Sequence, residues 1–81
     1  MKEFTIRGSR VVGLKQTLRA IGNGTAVEVY LADDADDFIR KSVEKACVDN
    51  AVRLIHIGSM KDLGSACGID REASTAARLN D

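Results

Sequence analysis

An α/β layered domain is expected, with helices on both faces of one small four-stranded sheet. Two β-branched apolar runs, Val27–Ala32 and Arg53–Ile57, read as strands. Segments with apolar residues at helical spacing alternate with them, and Gly, Asn and Asp clusters separate the two kinds. Strands that alternate with helices build a sheet covered on both sides. The chain of 81 residues suits one domain, 1–81. At this size folding buries about 60–65% of the unfolded surface, which disfavours a deep substrate cavity.

In chain order, residues 1–7 are expected as a short helix and Val11-Val12 as a short strand, between the turn signals Gly8-Ser9 and Gly13. Leu14, Leu18 and Ile21 fall at i, i+4 and i+7 of a helix that Gly22-Asn23-Gly24 closes. Its other face carries Lys15, Gln16 and Arg19. The strand at 27–32 comes next. Asp33-Asp34-Ala35-Asp36-Asp37 then suits a helix start, where acids cap free N–H groups and meet the positive dipole end. Ala35, Phe38, Ile39, Val43, Ala46 and Cys47 form its apolar stripe up to Asp49-Asn50. After the strand at 53–57, Ser59 caps a helix from Met60 to Cys67, and Gly68 ends it in a left-handed turn. Ile69 to Glu72 form a loop, and residues 74–79 a final edge strand.

Twelve basic and twelve acidic residues cancel, yet they are unevenly placed. Residues 1–19 hold five bases against Glu3, a net +4; residues 20–37 hold five acids and no base, a net −5. The molecule is electrically polar although neutral. Aromatic residues are few (Phe4, Phe38 and Tyr30), so a base-stacking platform is poorly supplied. Cys47 and Cys67 lack metal-ligand spacing and sit on helix stripes, as packed thiols do. With no signal-like apolar run and no stretch of membrane-spanning length, the cytoplasm is the expected location, with no membrane partner.

Catalytic and cofactor signatures are missing. Gly22-Asn23-Gly24-Thr25 precedes a strand and has no third Gly, so it is no dinucleotide fingerprint. Gly8 to Gly13 has no Lys-Ser/Thr sequel. The acids at 33–37 lack the oxygen spacing and central Gly of a calcium loop. His56 lies in an apolar strand with no predictable partner for base catalysis. No enzyme activity, metal or cofactor is expected.

Two segments have both a structural and a functional reading. Gly13-Leu14-Lys15-Gln16-Thr17-Leu18-Arg19 is either a solvated helix face or a nucleic-acid contact. In the second reading the helix start offers N–H groups to phosphate, and Lys15, Gln16 and Arg19 reach base edges. Leu63-Gly64-Ser65-Ala66-Cys67-Gly68-Ile69-Asp70-Arg71 is either a helix with a Gly stop and an inward Ile, or a loop whose exposed Ile69 covers an unstacked base while Arg71 holds a phosphate.

At these segments the chain resembles the ribosomal protein L7Ae family within the wider L30e-like group, above all its small bacterial members. The resemblance rests on Gly13 to Ala20 followed by a Gly turn, on Ala32-Asp33-Asp34-Ala35-Asp36 after a strand, and on Ser59 to Ile69, in this order and spacing. It implies a three-layer α-β-α sandwich around a small four-stranded mixed sheet. It also implies binding of kink-turn RNA, in which a bulge beside tandem sheared G·A pairs makes a sharp bend. By position, Gly13, Lys15, Gln16 and Arg19 fall at the G·A pairs. Ile69, Asp70 and Arg71 fall in the loop over an extruded base, and Asp36 and Arg40 at helix positions near the RNA in some members.

The chain departs from the family pattern in places. Lys15-Gln16 replaces the Asn-Glu of many archaeal and eukaryotic members, Asp37 replaces a Pro, Met60 a basic residue of some members, and Arg78 and Asn80 make the last strand more polar. The expected protein is a monomeric, non-enzymatic RNA-binding protein of ribosomal-protein type, a ribonucleoprotein component whose partner is ribosomal or riboswitch-like RNA. Association with the ribosome is compatible with this. The alternative is a protein-interaction adaptor with the same fold.

Overall fold

The computed structural model describes residues 5–80. Seven elements follow one another: β1 (Arg10–Val12), α1 (Leu14–Gly22), β2 (Ala26–Ala32), α2 (Asp37–Asn50), β3 (Arg53–Ile57), α3 (Met60–Cys67) and β4 (Thr75–Leu79). The strands lie in the order β1-β4-β2-β3. β4 runs antiparallel to both neighbours and β2 parallel to β3, so β1, β2 and β3 share one direction. The sheet is mixed, as expected. Helices α1 and α2 pack together over β1, β2, β3 and β4, and α3 covers β2, β3 and β4 from the other face.

The elements form where their sequence favours them. Asp36 caps α2 through its carboxylate, which accepts from Ile39 N at 2.9 Å. Ser59 caps α3 by accepting from Asp62 N at 3.0 Å, and Gly68 ends it with φ 77°. Val29 and Leu31 of β2 point to one sheet face and Tyr30 and Ala32 to the other, and all four are buried. Both faces are therefore covered, as the near-continuous apolar run requires. Ile21, Val43, Leu63, Ala76 and Ala77 complete the core around them. No helix of the described residues is long and apolar enough to cross a membrane.

Three expectations need correction. Residues 1–4 of the expected first helix lie outside the described residues, and residues 5–7 carry no helix. Ile6 N instead donates to Ala66 O at 3.0 Å, which lays this segment along α3. The last strand is not an edge: β4 is internal, and Thr75, Ala76 and Ala77 are completely buried. Its alanines bury little area each, but their small size lets neighbouring layers approach closely. Phe38 is 72% exposed and leaves the α2 stripe. The inward stripe is the buried Val43 and Cys47 with the partly buried Ile39 and Ala46, and Phe38 shares the outer face with Lys45 and Asp49 at i+7 and i+11.

Both cysteines are buried free thiols, and burial pushes both upward in pKa. His56 is on the exposed part of edge strand β3, with Nδ1 3.4 Å from Asp33 Oδ1.

Two polar groups make the fold testable. Thr17 on α1 is 0% exposed, and its hydroxyl has no hydrogen-bond partner among the described residues. Such a group carries an uncompensated desolvation cost of about 1–3 kcal/mol. Thr17→Val is expected to raise stability by about 1 kcal/mol, read as a melting temperature about 4–8 °C higher. A lower melting temperature would show that the hydroxyl is paired.

Glu28 is held below its ordinary pKa of 4.5, first by the Tyr30 hydroxyl, which donates to Oε1 at 2.7 Å, and then by Arg78 and Arg53, against an opposing effect of burial. A folded-state value below the unfolded one stabilises the protein above the ordinary pKa, and the benefit is lost as pH falls through the folded value. Thermal melts from about pH 7 to about pH 3 should therefore fall less steeply for Glu28→Gln than for the parent.

Candidate nucleic-acid interface

Because β1, β2 and β3 run the same way, their carboxyl ends lie at one end of the sheet. Each is followed directly by a helix, so α1, α2 and α3 all begin at that end. β4 enters there too, after the loop 68–74. Three helix starts thus aim free N–H groups and positive dipole ends the same way.

Two of the three are closed by the chain itself. Asp36 caps α2. For α3, Ser59 is the cap, and Asp34 Oδ1 accepts from Met60 N at 2.8 Å. The acidic run 33–37 is used in these local roles. Asp37 pairs with Arg40, and Arg40 Nε also donates to Ala35 O at 3.1 Å.

The start of α1 is different. Its cap is Gly13, which brings no side chain, and its first turn contains no acid. Gly13 has φ 101°, a conformation that a side chain would strain. The helical ladder begins with Thr17 N donating to Gly13 O at 2.9 Å. The N–H groups of Leu14, Lys15 and Gln16 precede it with no capping side chain among the described residues. Lys15, Gln16 and Arg19 are exposed. Arg19 follows Lys15 by four residues and Gln16 by three, so the three side chains share one outward face. Gln16 and Arg19 also line a shallow cleft of ≈150 Å³ with Asn23 and Thr25.

The loop after α3 is fastened at both ends to the strand that leads into α1. At its beginning, Arg10 of β1 donates from Nε to Cys67 O at 2.9 Å and from a terminal nitrogen to Gly8 O at 3.1 Å. A cation on the last carbonyls of α3 also meets the negative end of its dipole. At its end, Thr75 O accepts from Gly13 N at 2.9 Å, and Ser74 O from Ala32 N at 2.9 Å. Ala73 N donates to Met60 O at 3.0 Å, which lays the loop back along α3. Gly64 permits this approach: a Cβ there would lie 2.9 Å from the Arg71 carbonyl carbon and 3.2 Å from Glu72 Cα.

Between loop and helix lies a pocket of ≈360 Å³ lined by Lys61, Ser65, Ile69, Asp70, Arg71 and Glu72. Ile69 is half-buried and packs against the core, rather than standing free as an exposed Ile. It lines the pocket, while Asp70 and Arg71 are exposed at its rim.

The fold therefore places Gly13, Lys15, Gln16 and Arg19 at the start of α1, and Ile69, Asp70 and Arg71 in the loop that runs back along α3 and ends where Thr75 O accepts from Gly13 N. Asp36 and Arg40 are at the same end of the sheet, two strands further in, and their bonds run within the start of α2. Sequence reasoning missed Arg10, Lys61 and Gly64. Arg10 was visible only as a charge beside Val11-Val12, because its partner Cys67 is 57 residues away. The end of the sheet is electrically divided. The basic start of α1 follows edge strand β1, and the acids 33–37 follow β2, beyond β4.

Comparison with known proteins gives a consistent result. Residues 3–81 match the sequence profile described as the ribosomal protein L7Ae/L30e/S12e/Gadd45 family. An RNA-binding protein of Caldanaerobacter subterraneus subsp. tengcongensis is 46% identical over 68 residues, covering 84% of this chain and 83% of the relative. The large ribosomal subunit protein eL30 of Tetrahymena thermophila is 32% identical, covering 90% and 71%. Among solved structures, the Giardia lamblia 15.5kD RNA binding protein superposes with a TM-score of 0.84 at 30% identity. The match covers 90% of this chain and spans 62% of that one.

The contact at Gly64 gives a direct test of how the loop is held. Gly64→Ala places a methyl group against Arg71 backbone, which must move. The expected cost is about 1–3 kcal/mol in chemical denaturation, as for other overpacked sites. Unchanged stability would mean that the loop is not held against α3.

Proposed function

Because the chain belongs to the ribosomal protein L7Ae/L30e/S12e/Gadd45 family, we propose that it is a non-enzymatic RNA-binding protein that recognises kink-turn RNA. The observation that carries this reading is the contrast among the three helix starts. Two are capped by the chain's own acids and hydroxyl, and the third is left open, on the strand whose Arg10 and following Gly13 bond both ends of the pocketed loop. An open helix start next to Lys15 and Arg19 suits phosphate and electronegative base edges.

In this reading the N–H groups of Leu14 to Gln16 meet a backbone phosphate. Lys15 and Arg19 donate to guanine O6 and N7 where sheared G·A pairs open the groove. Gln16 both donates and accepts, so it reads a mixed edge. Ile69 lies under the extruded base and Arg71 holds its phosphate, with Asp70 at the rim. The pocket beside Ile69 has room for a group taken out of the helical stack. The acids 33–37 repel phosphate and confine the RNA to the β1 side. Asp36 and Arg40 flank the RNA with their polar groups already committed to α2, so they add little affinity.

The RNA exchanges between extended and bent forms. A surface that touches G·A edges and an extruded base together fits only the bent form, and differential binding shifts the population toward it. The protein acts as a single domain in the cytoplasm, on ribosomal or other structured RNA. A protein-docking adaptor with the same fold would fail to bind bent RNA at physiological salt.

The test is a gel-shift titration with a kink-turn RNA. Arg19→Ala is expected to weaken binding by about 1–3 kcal/mol with the fold intact. Arg40→Ala should change affinity far less. No effect of Arg19→Ala would remove Arg19 from the interface, and an equal loss with Arg40→Ala would place Arg40 in it as well.

A further inference from the structure

A second cationic surface lies at the other end of the strands. The register places Arg10 opposite Arg78, Arg78 opposite Glu28, and Glu28 opposite Arg53. Directly paired residues project to the same face, so these four form one row across all four strands, about 14 Å long at a strand spacing of ~4.8 Å. The row is on the α3 face. Glu28, Tyr30 and Arg78 line a pocket of ≈300 Å³ with Thr5, Ile6 and Arg7, and Ile6 is bonded to α3. A register shift between Ala26 and Glu28 leaves Val27 as the extra residue where the row crosses β2. From Glu28 to the carboxyl end of β2 is four residues, about 13 Å.

Arg10 is committed to Cys67 O and Gly8 O. The other cations gather round one carboxylate. Arg78 Nε is 3.4 Å from Glu28 Oε1, and Arg53 Nε is 3.9 Å from Oε2. Glu28 also accepts from Tyr30, and its side chain is only 20% exposed, against 34% for Arg78 and 73% for Arg53. Arg7 lines the same pocket as Glu28 and Arg78, so among the described residues three guanidinium groups stand around one shielded carboxylate, and positive charge is left over there. All of them are arginines, whose planar fork suits phosphate oxygens better than a lysine does. The acidic run 33–37 is at the far end of β2 and does not compensate them.

We propose that this row, together with Arg7 beside it, is a second RNA-contact surface, in which Arg53, Arg78 and Arg7 grip the phosphodiester backbone of an RNA arm running on from the helix-start end. It rests on the reading that the chain binds RNA there, but not on recognition of a bend. The row contacts backbone only, so it adds affinity and salt dependence without sequence preference.

The experiment measures affinity against salt concentration for two RNAs with the same kink-turn, one with short arms and one with a long arm. The proteins are the parent, Arg53→Gln/Arg78→Gln and Arg19→Ala. The double variant is expected to lose roughly ten-fold on the long-arm RNA, with a salt slope lower by about two, and to match the parent on the short-arm RNA. Arg19→Ala should weaken both RNAs alike. If the double variant unfolds, Arg53→Glu gives the same comparison from the exposed end of the row on β3. Parental binding of the long-arm RNA by the variants, or equal losses on both RNAs, overturns the proposal. If the parent shows no preference for the kink-turn, bend recognition fails. The row is then judged on a plain RNA duplex, where an undiminished affinity of the double variant overturns it.

Discussion

The short pairing of β1 with β4 holds the candidate interface together. It comprises three residue pairs, Arg10 to Val12 against Ala76 to Arg78. From one end of β1, Arg10 reaches the last carbonyl of α3; beyond the other, Gly13 donates to Thr75 O. Both ends of the loop 68–74 are thereby referred to one strand, and that strand leads straight into α1. Without this pairing, the loop would still be held against α3 and β2, but nothing would tie it to the strand that leads into the open helix start. With it they form one preorganised edge, and the ordering cost is met in folding rather than in binding.

Charge placement gives the edge its direction. The chain is neutral overall, yet the acids 33–37 lie where α2 begins, Lys15 and Arg19 where α1 begins, and Arg10, Arg78 and Arg53 toward the opposite end of the strands. The acids have a structural use: Asp34 and Asp36 occupy N–H groups that would otherwise attract anions. The open N–H groups of α1 are the exception, and they lie next to Lys15 and Arg19. Net charge says little about such a protein, because local potential over a few ångströms governs contact with phosphate.

Much of the fold was legible in the sequence. The bounds of α3 follow from Ser59 and Gly68, whose cap geometries are local. The five residues of β3 were visible as an apolar run. Non-local features were harder to read. β4 resembled an edge because alanines carry little hydrophobic signal, although they occupy the most crowded part of the sheet. Phe38 was assigned inward by residue type, and a shift of one position on the helix turned it outward. For the candidate site, Lys15, Gln16 and Arg19 stood out as charge opposite an apolar stripe. Arg10 and Gly64 did not, because their importance comes from backbone atoms of residues distant in sequence or across a turn.

The central claim is that the helix start and the loop together fit the bent form of an RNA. Its most direct test is fluorescence energy transfer between dyes on the two arms of a kink-turn RNA, titrated with the protein in the absence of divalent cations. Transfer is expected to rise to a plateau as protein is added, and to stay low for an RNA whose G·A pairs are replaced by Watson–Crick pairs. Saturable binding without a rise in transfer, or the same rise with both RNAs, would contradict it.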